Sequence, residues 1–305
     1  DRGVVVTRQG RGVFVAGGAR PRVAWVSGLD LLNDDISPFF RQMLRKTSPL
    51  LRDAGYDVDP VWLPSRDTGQ TQHWLDTHRV QDYAGFVFLG CLNIHPLYRQ
   101  IVDAQRPRVD ITAAPHPAPR AVSPDIGQAD RLALRRLAET GHDTVTVIRL
   151  GPTDARLIDA AREVGVRLDV HEISIELSRR PELEAHGHIM LQRLLHGDTP
   201  PQALYITDDQ VAHGAIFALL EHRSATGAAP EAVVRASRAL LRSVGLPILY
   251  VTHDLDQLAQ EAADVLLPQL KRNAHVGGPR YTPFTLTSPQ EAASIYESQF
   301  QTVSV

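Results

Sequence analysis

Short apolar runs alternate along the chain with longer segments in which apolar residues recur at helical spacing. Each short run predicts a buried strand and each longer segment predicts a helix. The predicted strands are 22–27, 57–63, 85–89, 107–112, 144–148, 167–170, 203–207 and 246–252. The predicted helices are 38–54, 70–78, 96–104, 126–140, 154–164, 182–195, 210–222 and 256–267. Because this alternation is typical of parallel sheets covered by helices, the predicted fold class is α/β.

Prolines divide and limit this pattern. Pro49 predicts a kink or an early break in the first helix, and Pro268 predicts the end of the last one. The Pro-rich stretch 113–124 predicts an extended connection between two halves of the alternation. At 305 residues the chain has room for two compact units, so we expect two doubly wound, Rossmann-like lobes.

The first 16 residues follow a different pattern. Two β-type runs, 4–7 and 13–16, flank a connector whose two glycines suit a hairpin turn. An isolated hairpin is marginal in water, so this piece is expected to belong to a larger domain. Arg8, Gln9 and Arg11 at its tip are candidate contacts to a DNA minor groove or to phosphates. The alternative is a solvated turn without a ligand.

Composition and charge exclude several classes of protein. Hydrophobic residues make up 43% and charged residues 22% of the chain, which excludes wholesale disorder. The formal net charge of −3 argues against a nucleic-acid surface over the whole molecule and leaves a local basic patch open. The single cysteine, Cys91, excludes a disulfide framework. The sequence predicts no membrane span and shows no signal-peptide pattern at its start.

Motifs for catalysis and for cofactors are missing from the sequence. There is no P-loop, no G-x-G-x-x-G after a strand, no H-E-x-x-H and no G-x-S-x-G elbow. His186 and His188 have no third metal ligand at a familiar spacing. The sequence therefore predicts a protein that is not an enzyme and has no cofactor and no metal site.

Ligands of doubly wound lobes bind beyond the carboxyl ends of the strands, which in a two-lobed protein face the cleft. Asp208 directly follows a strand, where it either caps the next helix or accepts hydrogen bonds from a ligand. Arg156 is either a surface cation or a ligand clamp. At least one of Phe39 and Phe40 is expected in the core, which leaves the other to stack on a ligand.

Segments spaced along most of the chain resemble, in order, those of one protein family. They are DISPFF at 35–40, DAGYDV at 53–58, GFVFLG at 85–90, PRVDI at 107–111, VSPD at 122–125, TGHDTVTVI at 140–148, QALYITDDQVAHGAIFAL at 202–219 and VTHDLDQLAQEAADVLLPQL at 251–270. From about Arg20 to the end, the chain is similar to the effector-binding domain of the lactose-repressor and galactose-repressor (LacI/GalR) family of transcription regulators. The resemblance implies two lobes of the periplasmic-binding-protein-like type I fold.

The start of the chain resembles a second family. Arg2–Ala16 is similar to the wing of the winged-helix domain of GntR-type regulators, whose helix-turn-helix would precede Asp1. Residues 1–18 are thus interpreted as the remnant of a DNA-binding domain and 20–305 as the effector domain. This combination implies a cytoplasmic homodimer that binds operator DNA through a domain mostly outside the present sequence. The present chain alone is expected to bind DNA poorly.

The resemblance also implies how the lobes share the chain and which residues meet the effector. Crossings are expected near Thr140, 251–256 and Tyr281, so that the first lobe holds about 20–138 plus 256–281 and the second about 139–252 plus 282–305. The residues expected to bind a small, polar, carbohydrate-like effector are Ser27, Phe39, Arg156, Asp208 and His253.

Two departures from the family pattern bear on the effector. The family's Gly-Phe-Asp-Asp is replaced by Arg235, Ala236, Ser237 and Arg238, and its Arg-x-x-Gly-Phe element is shortened to leave Arg156 as the best match. We therefore expect a cleft more positive than that of a typical sugar sensor. Such a cleft favours a polyol or sugar with an acidic group over a neutral hexose.

Two other functions fit doubly wound lobes. A solute-binding protein of a transport system shares the two-lobed fold, and residues upstream of Asp1 separate the two hypotheses. A helix-turn-helix there indicates a regulator, whereas a signal peptide indicates a transport protein. An enzyme is the third hypothesis, and no catalytic set supports it.

Overall fold

A computed structural model describes residues 4–8, 12–16, 20–29, 35–63, 79–90, 96–114, 118–173, 180–238, 245–271 and 277–301. The strands are β1 Val4–Arg8, β2 Gly12–Ala16, β3 Arg22–Ser27, β4 Asp57–Trp62, β5 Tyr83–Leu89, β6 Arg108–Ile111, β7 Ala121–Pro124, β8 Thr144–Leu150, β9 Arg167–Ile173, β10 Ala203–Ile206, β11 Glu231–Ser237, β12 Ile248–His253, β13 Arg280–Thr282 and β14 Phe284–Thr287. The helices are α1 Pro38–Asp53, α2 Pro96–Asp103, α3 Ile126–Glu139, α4 Ala155–Val164, α5 Arg180–Leu195, α6 Asp209–Thr226, α7 Leu255–Leu270 and α8 Pro289–Gln301, with a short 3₁₀ helix at Val80–Asp82. The predicted helix 70–78 lies outside the described residues.

Two six-stranded sheets form the two lobes. The first sheet has the order β13-β7-β6-β5-β3-β4, and its strands are all parallel. The second has the order β14-β12-β11-β10-β8-β9, in which only β14 pairs antiparallel. The predicted fold class, α/β with two doubly wound lobes, is confirmed. The strands β1 and β2 form a separate antiparallel hairpin in which Arg8 lies opposite Gly12.

Each sheet is covered by helices on both faces. In the first lobe, α1 and α7 cover one face with a core that includes Trp25, Met43 and Leu258, and α2 covers the other. In the second lobe, α5 and α6 cover one face, and α3 and α4 cover the other. Trp25 is the largest fully buried side chain among the described residues. Its Nε1–H donates a hydrogen bond to Thr47 Oγ1 at 2.9 Å, so its polar atom has a partner.

The first crossing between the lobes comes earlier in the chain than the sequence predicts. The strand β7 belongs to the first sheet, whereas α3, which follows it directly, packs in the core of the second lobe through Ala129, Ala133 and Leu137. The expected boundary near Thr140 is therefore wrong, because the apolar face of α3 is buried against β10, β11, β12 and β14 of the second sheet and not against the first sheet. The other crossings lie between β12 and α7, and between β13 and β14.

Prolines limit the helices less than expected. The helix α1 runs through Pro49 without a break, and α7 continues past Pro268 to Leu270. Each proline removes one backbone donor, but Pro268 lies in the last turn, where few intrahelical bonds remain to be lost. The Pro-rich stretch is not wholly a connection either, because its last four residues form β7 between β6 and β13.

No described helix is long and apolar enough to span a membrane.

Candidate ligand cleft

The carboxyl ends of the strands in the second lobe bring polar side chains together. Asp208 follows β10, Ser237 ends β11 and His253 ends β12. Ser237 and His253 are register partners in neighbouring strands, and the Ser237 Oγ lies 3.1 Å from the His253 Nε2. Since both lobes present strand ends toward each other, these side chains lie where a ligand of such a fold binds.

His253 is the most enclosed of the expected ligand residues with a titratable side chain. Burial, with the nearby charge of Arg235, lowers the pKa of His253 to about 4, so the imidazole is neutral at pH 7. Its Nδ1 is buried and has no hydrogen-bond partner among the described residues. A buried polar atom without a partner is unusual in a folded protein, which marks His253 as a candidate ligand contact.

Aromatic rings from both lobes surround His253. The ring centroid of Phe284 lies 5.0 Å from that of His253, and the ring centroid of Phe39 lies 6.3 Å from it. Phe39 belongs to α1 of the first lobe and is partly buried. The predicted residues Phe39 and His253 are thus brought together across the cleft, and Phe40 packs edge-on against Phe39 at 5.5 Å.

A buried ionic network lies behind this point. The Arg235 Nη1 donates to the Asp130 Oδ1 at 3.1 Å, and the Tyr205 hydroxyl donates to the same oxygen at 2.7 Å. Burial raises the pKa of Asp130, while the charge of Arg235 and the hydrogen bond from Tyr205 oppose that rise. Asp130 therefore offsets the charge of Arg235, one of the two arginines on which the expectation of a more positive cleft rests, and that expectation stays a prediction. Arg238 lies near the start of α8, where hydrogen bonds with the backbone and side chain of Ser288, and to a smaller extent the charge of Arg238, lower the pKa of Glu291.

Asp208 caps a helix and also lies beside a second acid. Its Oδ1 accepts hydrogen bonds from the backbone N–H of Gln210 at 2.9 Å and of Val211 at 3.0 Å. Burial and the charge of Asp209 raise the pKa of Asp208 to about 6. The same capping chemistry begins α3, α4 and α7, at Asp125, Asp154 and Asp254.

Arg156 joins the lobes. Its Nη2 lies 2.7 Å from the Asp154 Oδ2, and its Nη1 donates at 3.2 Å to the carbonyl of Ala113 in the first lobe. Although burial opposes it, the hydrogen bond and charge of Arg156 lower the pKa of Asp154. A second link joins the backbone N–H of Arg180 to the carbonyl of Asp35 at 2.5 Å.

The remaining expected site residues differ in what the structure shows of them. Ser27 is fully buried, and its Oγ accepts from the backbone N–H of Leu29 at 3.1 Å, so its hydroxyl holds the turn after β3. Arg8 ends β1 of the hairpin. Gln9 and Arg11 lie outside the described residues. In the described part of the chain, no group of three His, Cys, Asp or Glu side chains is placed to hold a metal ion.

The partners of Arg235 were not predicted from the sequence. Asp130 lies on the buried face of α3, together with Ala129, Ala133 and Leu134. Tyr205 lies inside the apolar strand β10. A carboxylate on the apolar face of a helix indicates a buried partner, because such a charge is almost never left unpaired. That signal was present in the sequence, although it does not say which cation supplies the pair.

Comparisons with known proteins find structural likeness without sequence likeness. No protein-family model matches the chain, and no curated protein matches it. A Cra transcriptional dual regulator from Pseudomonas putida, in complex with fructose 1-phosphate, is 16% identical over 88% of this chain and 98% of its own, with a TM-score of 0.68. A LacI transcriptional regulator from Lactobacillus brevis is 16% identical over 87% and 99%, with a TM-score of 0.69.

A third neighbour is a LacI family transcriptional regulator from Enterococcus faecalis with bound ribose. It is 18% identical over 87% of this chain and 96% of its own, with a TM-score of 0.66. At these identities the likeness establishes fold. The chain has the two-lobed fold of these LacI-family transcription regulators.

Proposed function

We propose that the protein is a transcription regulator whose two lobes bind a sugar or sugar derivative in the cleft. The observation that carries the proposal is the meeting of Phe39 and His253 across the lobes, with a buried, unpartnered His253 Nδ1. An apolar ring beside a few placed polar atoms is the usual composition of a small-molecule site. The neighbours with fructose 1-phosphate and with ribose support a carbohydrate as the ligand class.

Regulation follows from closure of the lobes in this proposal. Arg156 and Arg180 each link the second lobe to the first, so a ligand that favours one separation of the lobes changes their relative population. The hairpin β1–β2 supports a DNA-binding role over a transport role, and we assign it as the wing of a GntR-type domain. A cytoplasmic homodimer with paired DNA-binding heads completes the proposal, because regulators of this kind bind two half-sites.

Calorimetry with a small panel of ligands tests the sensor. The panel holds neutral pentoses and hexoses, sugar phosphates and sugar acids, and the variants are Phe39→Ala, His253→Ala, Arg156→Ala and Asp208→Asn. Asp208→Asn keeps a helix cap and removes the charge. The matched control is Arg162→Ala, because Arg162 is an arginine of α4 whose side chain is 75% exposed.

We expect Phe39→Ala and His253→Ala to weaken binding of the best ligand about tenfold or more, while Arg162→Ala leaves it unchanged. Wild-type affinity in both of the first two variants would overturn the site. Failure of every carbohydrate in the panel to bind would overturn the proposed ligand class.

A further inference from the structure

Arginines gather at the end of the first lobe that lies opposite the cleft. Arg106 and Arg120 lie in the turns that lead into β6 and β7, and Arg108 is the first residue of β6. Because β5, β6 and β7 are adjacent parallel strands, these positions share one end of the sheet. We call Arg106, Arg108 and Arg120 the arginine cluster.

Neutral groups hold the arginine cluster in place. The Arg106 Nη2 donates to the carbonyl of Tyr83, and the Arg120 Nη1 donates to the carbonyl of Arg106 at 3.2 Å. The Arg108 guanidinium lies 5.8 Å from the centre of the Tyr98 ring. Among the described residues, none of the three has a carboxylate within ion-pair distance, in contrast to Arg22, which pairs with Asp59 at 3.0 Å.

One buried acid lies beneath the cluster. Asp110 is 7% exposed, accepts from the Tyr98 hydroxyl at 2.8 Å, and leaves its Oδ1 without a partner in the described part of the chain. It offsets one positive charge at most. The exposed acid Asp103 lies three residues before Arg106 in the chain and forms no ion pair with the cluster in the part of the chain that the structure describes. The cluster therefore holds three partly buried guanidinium groups against one buried carboxylate, and the Nε atoms of Arg106 and Arg108 are enclosed.

The hairpin is tethered to this same end of the lobe. Its last residue, Ala16, is four residues before Arg20, and four residues span at most about 14 Å. Arg20 leads into β3, and β6 lies two strand positions from β3, at a lateral distance of about 10 Å. A duplex held by the hairpin can therefore reach the arginine cluster.

We infer that the arginine cluster binds the phosphate backbone of the DNA that the hairpin contacts. The inference rests on the proposed DNA-binding function and adds a second contact surface, on the sensor domain itself. Guanidinium groups bind phosphate oxygens through paired hydrogen bonds, and such contacts fix position without reading sequence. Movements of the first lobe would then act on the DNA directly as well as through the connection at 17–19.

The salt dependence of DNA binding tests the inference. Fluorescence anisotropy measures binding of the 305-residue chain to a short duplex of arbitrary sequence across a series of low KCl concentrations. The variant is Arg108→Gln/Arg120→Gln. The control is Arg162→Gln/Arg167→Gln, which removes two arginines that are 75% and 77% exposed on the second lobe. Arg108→Lys/Arg120→Lys keeps the charge, and thermal unfolding checks the fold of each variant.

We expect the slope of log K against log[KCl] to fall by about 2 in the Gln pair, since each phosphate contact contributes about 0.9. The Lys pair and the second-lobe control should keep the wild-type slope. If the wild type binds and the Gln pair keeps its slope, the inference is overturned and the proposed function stands. If the wild type binds no duplex even at the lowest salt concentration, the arginine cluster is not a DNA-binding surface and the inference is overturned. The proposed function then stands or falls with the calorimetry, because its DNA-binding domain is proposed to lie mostly outside the present sequence.

Discussion

Single buried polar residues decide much of the chemistry of the second lobe. The side chain of Asp130 is 3% exposed and that of Arg235 is 20% exposed, so their ion pair is largely removed from water. Such a pair contributes little net stability compared with apolar residues of similar volume. However, removing one partner leaves a buried charge without compensation.

The first prediction concerns this pair. Arg235→Leu should lower the free energy of unfolding by about 3–5 kcal/mol, because Asp130 is left charged and buried. Arg235→Leu/Asp130→Leu should lose markedly less, because no charge remains. Urea unfolding of the wild type and the two variants measures the difference. Equal losses in the single and double variants would contradict the cost of an uncompensated buried charge at Asp130.

The second prediction concerns pH. The pKa of His253 is lowered to about 4 in the folded protein, below its value of about 6.5 in an unfolded chain. The unfolded state therefore binds the proton more readily, and stability falls as the pH drops from about 6.5 to about 4. The wild type should lose about 3 kcal/mol more than His253→Gln between pH 7 and about pH 4, measured by urea unfolding at each pH.

Asp208 changes the stability of the protein in the opposite direction over nearly the same pH range. Its pKa is raised to about 6 when folded, against about 3.9 in an unfolded chain, so its contribution is lost as the pH rises from about 4 to about 6. For this reason the difference between wild type and His253→Gln is the informative quantity. An identical pH dependence in the two proteins would contradict the burial of the imidazole.

At the scale of elements, glycine allows α5 and α6 to pack backbone against backbone. A Cβ at Gly187 would lie 2.1 Å from the carbonyl oxygen of Val211, and one at Gly214 would lie 1.7 Å from that of Glu184. These neighbours are backbone atoms of helices, which cannot move away by a change of rotamer. Neither contact point therefore has room for a residue larger than glycine.

The third prediction follows from this contact. Gly214→Ala should destabilise the protein by about 3 kcal/mol, since the two helices must move apart. Gly127→Ala in α3 is the control, because a Cβ there meets only side-chain atoms, at 3.4 Å or more. The control should be neutral or slightly stabilising through helix propensity. Thermal or urea unfolding measures both, and equal effects would contradict the close packing.

Patterns within one element predicted most of the fold. The strand β3 has its predicted bounds, and the predicted helices within the described residues differ from those observed by only a few residues at their ends. Periodicity reports which face of a segment is buried, and that is a local property. The strands β13 and β14 escaped prediction because each has only three or four residues, and their pairing with β7 and β12 depends on distant parts of the chain.

Less of the candidate cleft than of the fold could be predicted from the sequence. Phe39 and His253 were named individually, yet their meeting depends on how two lobes face each other. The partner of Arg235 was not predicted because Asp130 is 105 residues away. Ser27 is the last residue of β3, but the hydrogen bond that its hydroxyl accepts from the backbone of Leu29 depends on the geometry of the turn. The prediction of the cleft was limited by contacts between residues that are far apart in the sequence, and not by the choice of residue types.

At the scale of the molecule, the first lobe is completed by a distant segment. The helix α7 buries Leu255, Leu258 and Leu266 against the first sheet, and β13 adds its edge strand. The lobes are therefore not two consecutive domains joined by one linker.

The fourth prediction tests this arrangement. A fragment of residues 20–124 should show no cooperative thermal transition by circular dichroism, because one apolar face of its sheet loses the cover of α7. Joining residues 254–282 to it through a Gly/Ser linker should restore a transition. Cooperative melting of the shorter fragment would contradict the assignment of α7 to the first core.

The position of α7 also sets an order of events during synthesis on the ribosome. Roughly 130 residues separate β7 from α7, and at roughly 5–20 residues per second their translation takes about 6–26 s. Throughout that interval the first lobe is already made but has an uncovered apolar face. The lobe that is synthesised first therefore finishes folding only when nearly the whole chain has emerged, and until then it is the part of the nascent protein that a chaperone would shield.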